Sequence, residues 1–301
     1  MTDVVTPEVE LGTLEPAAGG RAATLWGDAW KELRRNPIFV ISAVLILLVI
    51  TMAAFPRLFT SADPRACSIS NSLLKPSSEH LFGYDLQGCD YFARTIHGAR
   101  NSVSIGIVVT LFSTVIAVVL GSVAGYYGRW VDAVIARITD VWFAIPLILA
   151  GIVFLRALGN QGFWMVSLVL IVFGWPTMLR LLRSTVLSVK ETEYVDAARA
   201  LGASDFRIIT RHILPNAMTP VIVYATITVG VVVSVESTLS FLGVGLQLPA
   251  ISWGLMISVA QTRILGAPHL LFFPGIFLSV TVFSFILMGD ALRDALDPKL
   301  R

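Results

Sequence analysis

Residues 38–55 run for eighteen positions without a charged side chain. Such a run constrains a chain strongly. As a helix it crosses the ~30 Å hydrocarbon core of a bilayer, and inside lipid the backbone has to satisfy its own hydrogen bonds. Further apolar stretches follow at 103–127, 131–155, 163–179, 217–239 and 270–288. Composition agrees: 55% hydrophobic residues, 14% charged residues and a mean hydropathy of +0.78 do not suit a soluble chain. The expected fold class is therefore all-α, a polytopic membrane protein with six transmembrane helices. A cleaved signal peptide is the rival reading of 38–55, but its leader would be unusually long, so a retained anchor is expected. A net charge of +2 is too small to argue for nucleic acid as a partner.

Six spans put both termini on one side. With the N-terminus inside, fifteen of the 22 Lys and Arg residues fall on the inner side and seven on the outer. That bias predicts an N-in, C-in protein. It places the polar stretch 193–216 in the cytoplasm and the loop after the first span, with Cys67 and Cys89, outside. Two cysteines cannot make a zinc cluster alone. On an oxidising side a Cys67–Cys89 disulfide would close a 22-residue separation, worth about 3 kcal/mol by chain entropy; two free thiols are the alternative.

Residues 1–23 lack periodicity and read as disordered. Leu25, Trp26, Ala29, Trp30 and Leu33 share a face opposite Lys31, Arg34 and Arg35, which describes a helix in the membrane interface. Tyr91, Phe92, Thr95 and Ala99 share a face too, so 90–100 is expected along the outer interface. Ala117, Gly121 and Gly125 form a small-residue ladder that permits close helix contact. Pro146, Pro176, Pro220 and Pro274 lie inside spans, where each frees a carbonyl and permits a kink. Glu236 is the one acid well inside an apolar run. A mid-membrane charge costs about 2.5–3.5 kcal/mol or more, so it is expected to reach a water-filled vestibule near the outer end, with snorkelling to the interface as the alternative.

Within 193–216, Tyr194, Ala197, Ala198 and Leu201 fall at helical spacing and predict one apolar face on a short helix. Gly202 suits a left-handed helix end. Ser204 then caps a second helix with Asp205 in its first turn, Leu214-Pro215 ends it, and Asn216 caps the next span. Two short helices joined at a glycine make a rigid knob on one membrane face; an amphipathic connecting loop is the plainer reading.

Enzymatic signatures are absent from the sequence. It has no phosphate-binding Gly-x-x-x-x-Gly-Lys-Ser/Thr loop, no His-Glu-x-x-His and no Gly-x-Ser-x-Gly. The four histidines, His80, His97, His212 and His269, share no ligand spacing. Nothing suggests a chain of proton carriers. The chain reads as a pathway powered from elsewhere.

The polar stretch resembles the EAA loop of permease subunits in binding-protein-dependent ABC importers. The family pattern is Glu-Ala-Ala, three residues, Gly, nine residues, Ile, one residue, Leu-Pro. Here Asp196-Ala197-Ala198, Gly202 and Leu214-Pro215 stand in register; Asp replaces Glu and His212 replaces Ile. Further blocks resemble the C-type subunit of the dipeptide/oligopeptide/nickel permeases: Phe82-Gly83 to Asp90 with Arg94, Leu239-Ser240-Phe241-Leu242-Gly243 continuing to Trp253, and Gly289-Asp290 to Pro298. Cys89 departs from the family's usual residue, which fits a lineage-specific disulfide with Cys67.

The resemblance implies a non-catalytic permease in a bacterial plasma membrane. Its implied partners are a homologous second permease, two ATP-hydrolysing subunits and an extracytoplasmic substrate-binding protein. No cofactor is expected on this chain; ATP and Mg are expected on the ATPase subunits. Tyr194, Asp196, Ala197, Ala198, Leu201, Gly202, Arg207 and Pro215 would couple to an ATPase. Glu236, Ser240, Phe241, Leu242 and Trp253 would belong to the pathway or outer gate. The implied organisation is a tail with interfacial helix (1–37), a first span with external loop (38–101), a five-helix core (102–292) and a C-terminal tail (293–301). The substrate implied is a peptide, with nickel, haem, glutathione or another small solute as variants. A stand-alone secondary transporter or channel is the competing class, and an intramembrane enzyme lacks any catalytic constellation.

Overall fold

The computed structural model describes residues 25–159 and 161–296; the expectations for 1–23 and 297–301 lie outside the described residues. Among them the chain is helical, with two isolated β-bridges and no strand. Four helices are long and apolar enough to cross a membrane, and two bent helix pairs bring the total to six if each pair is one span.

Helix α1 (Leu25–Leu33) leads to α2 (Pro37–Ala54). Asn36 caps α2 by accepting from the backbone N–H groups of Ile38 and Phe39, and Pro37 opens it without losing a bond. Leu33 is buried against Phe39, Leu292, Ala295 and Leu296, so α1 docks its C-terminal end on the last helix.

Helix α3 (Tyr91–Tyr127) is 37 residues long, about 55 Å at 1.5 Å per residue. This corrects the expectation that 90–100 lies along the interface. Asp90 caps the helix through Ala93 N–H, and Tyr91, Thr95 and Ala99 are buried inside the protein. The face read as interfacial is a packing face, continuous with the small-residue ladder. A Cβ on Gly98 would meet the Trp253 ring at 3.2 Å, one on Gly106 the Val233 side chain at 2.6 Å, and one on Gly125 the Val186 side chain at 2.7 Å. Close approach is therefore required along nearly the whole helix.

The expected span 131–155 is broken. Helices α4 (Arg129–Phe143) and α5 (Leu147–Leu158) meet at 80° across the turn before Pro146. The span 163–179 is likewise α6 (Phe163–Gly174) and α7 (Pro176–Val189), bent by 41° at Trp175, and α7 extends ten residues beyond the expected end. Each proline removes a backbone donor at its break. Pro220 and Pro274 do not break their helices.

Helix α8 (Glu193–Ala200) precedes a single turn, α9 (Asp205–Arg207), and a widened π-type turn over Ile208–Ile213 that runs directly into α10 (Leu214–Phe241). Leu214-Pro215 therefore does not end a helix, and Asn216 does not cap one; its side-chain N–H donates to the His212 carbonyl at 2.8 Å. Proline is tolerated because it falls in the first turn of α10, after the ladder has already changed register. Helix α11 (Trp253–Ala260) and α12 (His269–Leu296) complete the chain, α12 running through Arg293 into the stretch expected as tail.

Besides the α1–α12 contact, the described residues form three core regions along the bundle. At one end α2, the start of α3, α11 and α12 pack around Met52, Tyr91, Trp253 and Leu270. In the middle α3, α5, α6 and α10 pack around Ile105, Leu155, Val169 and Leu239. At the other end α3, α7 and α10 enclose Leu179, Leu182, Val186, Ile208 and Ile213, together with Val195 of α8.

Candidate functional site

Two regions bear on function, at opposite ends of the bundle. The first is the knob 193–216. Its apolar residues divide differently from the expected face. Val195 and Ala198 point into the protein, whereas Tyr194, Ala197 and Leu201 are exposed, Leu201 at 88%. Phe206, not singled out in the sequence, is 76% exposed five residues further on. The reason is register: Val195, Ile208 and Ile213 form the anchoring set, packing on α3, α7 and α10, and Ala198 is buried on the same side of α8. Gly202 takes φ +78° between the two arms, and a Cβ there would meet nothing within 4 Å. Glycine is thus needed for backbone conformation and not for space within this chain.

Ser204 occupies the cap position but its side chain makes no capping bond, contrary to expectation. Asp205 instead accepts from the Tyr126 hydroxyl at 2.7 Å. Asp196 pairs with Arg199 at 2.8 Å, both exposed; Arg207 and Pro215 are exposed as well. Behind the knob, Arg183 of α7 grips both carboxylate oxygens of Asp132 of α4, and Arg180 reaches Asp140 at 2.7 Å. These pairs join α4 to α7 and hold the base on which α8 sits.

The second region surrounds Glu236, which is fully buried. It reaches neither a vestibule nor the interface. Ser240 Oγ donates to Glu236 Oε1 at 2.8 Å; Ser102 Oγ and Ser237 Oγ lie 3.4 Å from Oε2. Ser240 Oγ also accepts from Leu246 N–H, and Ser102 Oγ from Trp253 N–H. One carboxyl thereby ties α3, α10 and the start of α11 together. Burial with satisfied partners is how an interior polar group is tolerated. Hydroxyls at 102, 237, 240 and 252 were the available signal, scattered over 150 residues of sequence.

Trp253 is also fully buried, its indole N–H donating to the Thr95 carbonyl at 2.9 Å. Phe241 and Leu242 stand at the surface, 37% and 48% exposed. The five residues expected at a gate thus split into an enclosed brace (Glu236, Ser240, Trp253) and an exposed rim. Cys67 and Cys89 form a disulfide in the loop between α2 and α3, their Cα atoms 4.1 Å apart. Nearby, Arg94 pairs with Asp85, whose other oxygen accepts the backbone N–H groups of Gln87 and Cys89. A cavity of about 330 Å³ lies where both bent pairs meet α10, lined by Trp142, Pro146, Phe173, Pro176, Tyr224 and Val231 among others. No group of three metal-ligating side chains occurs among the described residues.

A helical bundle with two bent helix pairs and a polar knob between helices defines a class, the ABC transporter permease fold. The structure superposes on the MetNI methionine ABC transporter, in an inward-facing conformation, with a TM-score of 0.55 at 22% identity, covering 68% of this chain and 96% of that one. The chain belongs to the family described as binding-protein-dependent transport system inner membrane component, whose model matches residues 117–301. Residues 24–76 match the N-terminal TM domain of oligopeptide transport permease C. Among relatives, the dipeptide transport system permease protein DppC of Alkalihalophilus pseudofirmus is 39% identical over 280 residues, 93% of this chain and 92% of that protein. The glutathione transport system permease protein GsiD of Pectobacterium atrosepticum is 36% identical over 292 residues, 97% of each chain. The protein is an inner-membrane transport permease subunit.

Proposed function

We propose that this chain forms half of the translocation pathway of an ATP-driven importer for short peptides. In this reading it crosses the membrane six times with both termini in the cytoplasm, each bent pair counting as one span. The knob 193–216 docks on an ATPase subunit that binds ATP and Mg, and a second, homologous permease completes the pathway. A second ATPase and an extracytoplasmic binding protein complete the assembly. The organisation into a tail (1–37), a first span with loop (38–101), a core (102–292) and a C-terminal tail (293–301) belongs to the same proposal.

The observation that carries this reading is the exposed pair Leu201 and Phe206 on a braced support. Large apolar side chains exposed within one short polar segment mark a surface that a partner covers. ATP binding can bias the pathway through such a contact only if the knob moves with the spans. The anchoring of Val195, Ile208 and Ile213 in the α3–α7–α10 core supports that rigid linkage. At the other end, Phe241 and Leu242 form the rim of an outer gate, held by the Glu236–Ser240–Trp253 brace. Peptide as substrate is supported by the dipeptide and oligopeptide permease relatives, and the glutathione permease relatives make glutathione the second candidate.

The test is reconstitution. The chain is expected to co-purify with ATPase subunits, and uptake of peptide delivered by the binding protein is expected to require ATP. Uptake driven by an ion gradient without ATP would favour a secondary transporter instead.

A further inference from the structure

Around the disulfide-bearing end, the fold treats its arginines unequally. Arg94 is inserted beside Asp85 and neutralised. Arg57, Arg65 and Arg100 are exposed, have no ion pair among the described residues, and converge on one recess of about 610 Å³. They come from three separate places: the turn after α2, the loop before the disulfide, and α3. The recess contains one carboxylate, Asp63, whose Oδ1 accepts the backbone N–H of Arg65 at 2.9 Å. Three guanidinium groups against one acid leave a positive field inside a concavity, where field lines concentrate.

A second recess of about 560 Å³ adjoins the first and shares Arg65, Asn101 and Ala250 with it. Its further lining is uncharged: the side-chain amides of Gln161 and Gln247 stand among Gly159, Gly162, Leu248 and Pro249. Together they make a groove with a cationic end and an amide-lined arm. The arm ends at the loop that follows Phe241 and Leu242, the rim of the proposed gate.

We propose that this groove receives the substrate at the outer mouth, the arginines holding a terminal carboxylate and the amide arm holding peptide main chain. The inference rests on the reading of the protein as a peptide importer. Guanidinium forks match a carboxylate through paired hydrogen bonds, and side-chain amides offer both donors and acceptors to a peptide group. Each recess falls in the volume range of small-ligand sites. A phospholipid would need an apolar channel for its chains next to the cationic end; the apolar recess that adjoins it, lined by Leu248, Ile251, Leu255 and Met256, holds only about 130 Å³, far less than two acyl chains occupy. An acidic protein surface would meet exposed arginines on a convex rim, whereas these line a concavity.

The test uses the complete importer in liposomes with saturating, preloaded binding protein. ATP-driven uptake is measured for one peptide as its free acid and as its C-terminal amide, with wild type, Arg65→Gln, Arg100→Gln and Arg65→Lys. Glutamine variants are expected to lower the acid-to-amide uptake ratio at least about tenfold, as loss of a charge-assisted bond implies, with partial recovery in Arg65→Lys. An unchanged ratio in variants that still carry peptide overturns the groove while leaving the importer reading intact. Weakened affinity for the binding protein with both peptides alike assigns the arginines to a protein contact and overturns it. So does a defect that appears only with anionic lipid in the liposomes. Wild type that takes up neither form fails the importer reading itself, and the groove with it.

Discussion

The Tyr126 hydroxyl at the end of α3 donates a 2.7 Å hydrogen bond to Oδ1 of Asp205, 79 residues later in the first turn after Gly202. The bond links the tip of the knob directly to the longest helix of the bundle, which also carries Ser102 and the packing face for Trp253. Tyr126→Phe removes the donor and leaves the ring. A hydrogen bond to a carboxylate at an exposed site contributes about 1 kcal/mol, so the fold is expected to survive. What changes is the stiffness of the link. In reconstituted complex, peptide taken up per ATP hydrolysed should fall two- to fivefold while the thermal midpoint stays nearly constant. An unchanged ratio would show that the bond transmits nothing.

Arg183 and Asp132 form the two-pronged pair behind the knob, partly buried at 31% and 20% side-chain exposure. A bidentate pair of this kind adds geometric specificity as well as energy. Arg183→Ala is expected to cost about 1–2 kcal/mol, seen as a lowered thermal midpoint in detergent. Arg183→Lys should recover less than half, since an ammonium cannot span both oxygens. A double-mutant cycle with Asp132→Asn would isolate the coupling; a coupling energy near zero would dismiss the pair as surface decoration.

Hydropathy located the four long apolar helices and both bent pairs, because the bilayer requirement acts on composition, which is local. Where it failed, the cause was long-range. Residues 90–100 read as amphipathic because their polar and apolar faces are real, but Tyr91, Thr95 and Ala99 face α11 and α12, far away in sequence. The breaks at Pro146 and Pro176 and the continuity at Pro220 and Pro274 share one local signal, and only packing separates them. The knob's register at Gly202 was legible from its turn chemistry. Its inward face was not, since Val195 is buried by partners distant in sequence, on α3, α7 and α10. Glu236 shows the limit most sharply: one acid in an apolar run gives no hint of serines 134 residues before it and 4 after it.

That cage makes its own prediction. Glu236→Ala would leave Ser240 and Ser102 short of a partner in a dry interior and open a cavity. Each unsatisfied buried group costs about 1–3 kcal/mol, so the variant should lose several degrees in thermal midpoint or fail to assemble. Glu236→Gln keeps the shape and a carbonyl acceptor for Ser240, and should retain most of the stability. Equal loss in both variants would mean that the acid itself, and not its bracing geometry, is needed.

The Cys67–Cys89 bridge should be found by mass spectrometry of non-reduced peptides from the membrane. Replacing both residues by serine removes a cross-link worth about 3 kcal/mol for its 22-residue separation. The loss is expected to be local. The loop between α2 and α3 should gain protease sensitivity, while α3, α7 and α10, packed at the other end, keep theirs. Free thiols on the native protein would rule the bridge out.

Leu201 and Phe206 give the last prediction, because they separate coupling from folding. Both are largely exposed, so replacing either should change stability by no more than about 0.5 kcal/mol. Leu201→Asp and Phe206→Asp place a charge where a partner's apolar pocket would have to desolvate it, and binding to the ATPase subunit should weaken at least tenfold. Gly202→Trp adds bulk at a position with open space around it in this chain, but also forces a φ of +78° on a non-glycine residue. Gly202→Ala carries most of that strain without the bulk, and so serves as its control. If the tryptophan variant loses uptake and ATPase association while the alanine variant keeps both, the obstruction lies in the partner's groove. If both lose them equally, the requirement is the turn, and the knob's shape depends on Gly202 alone. Full uptake in Leu201→Asp would show that the exposed apolar pair is not where the ATPase docks.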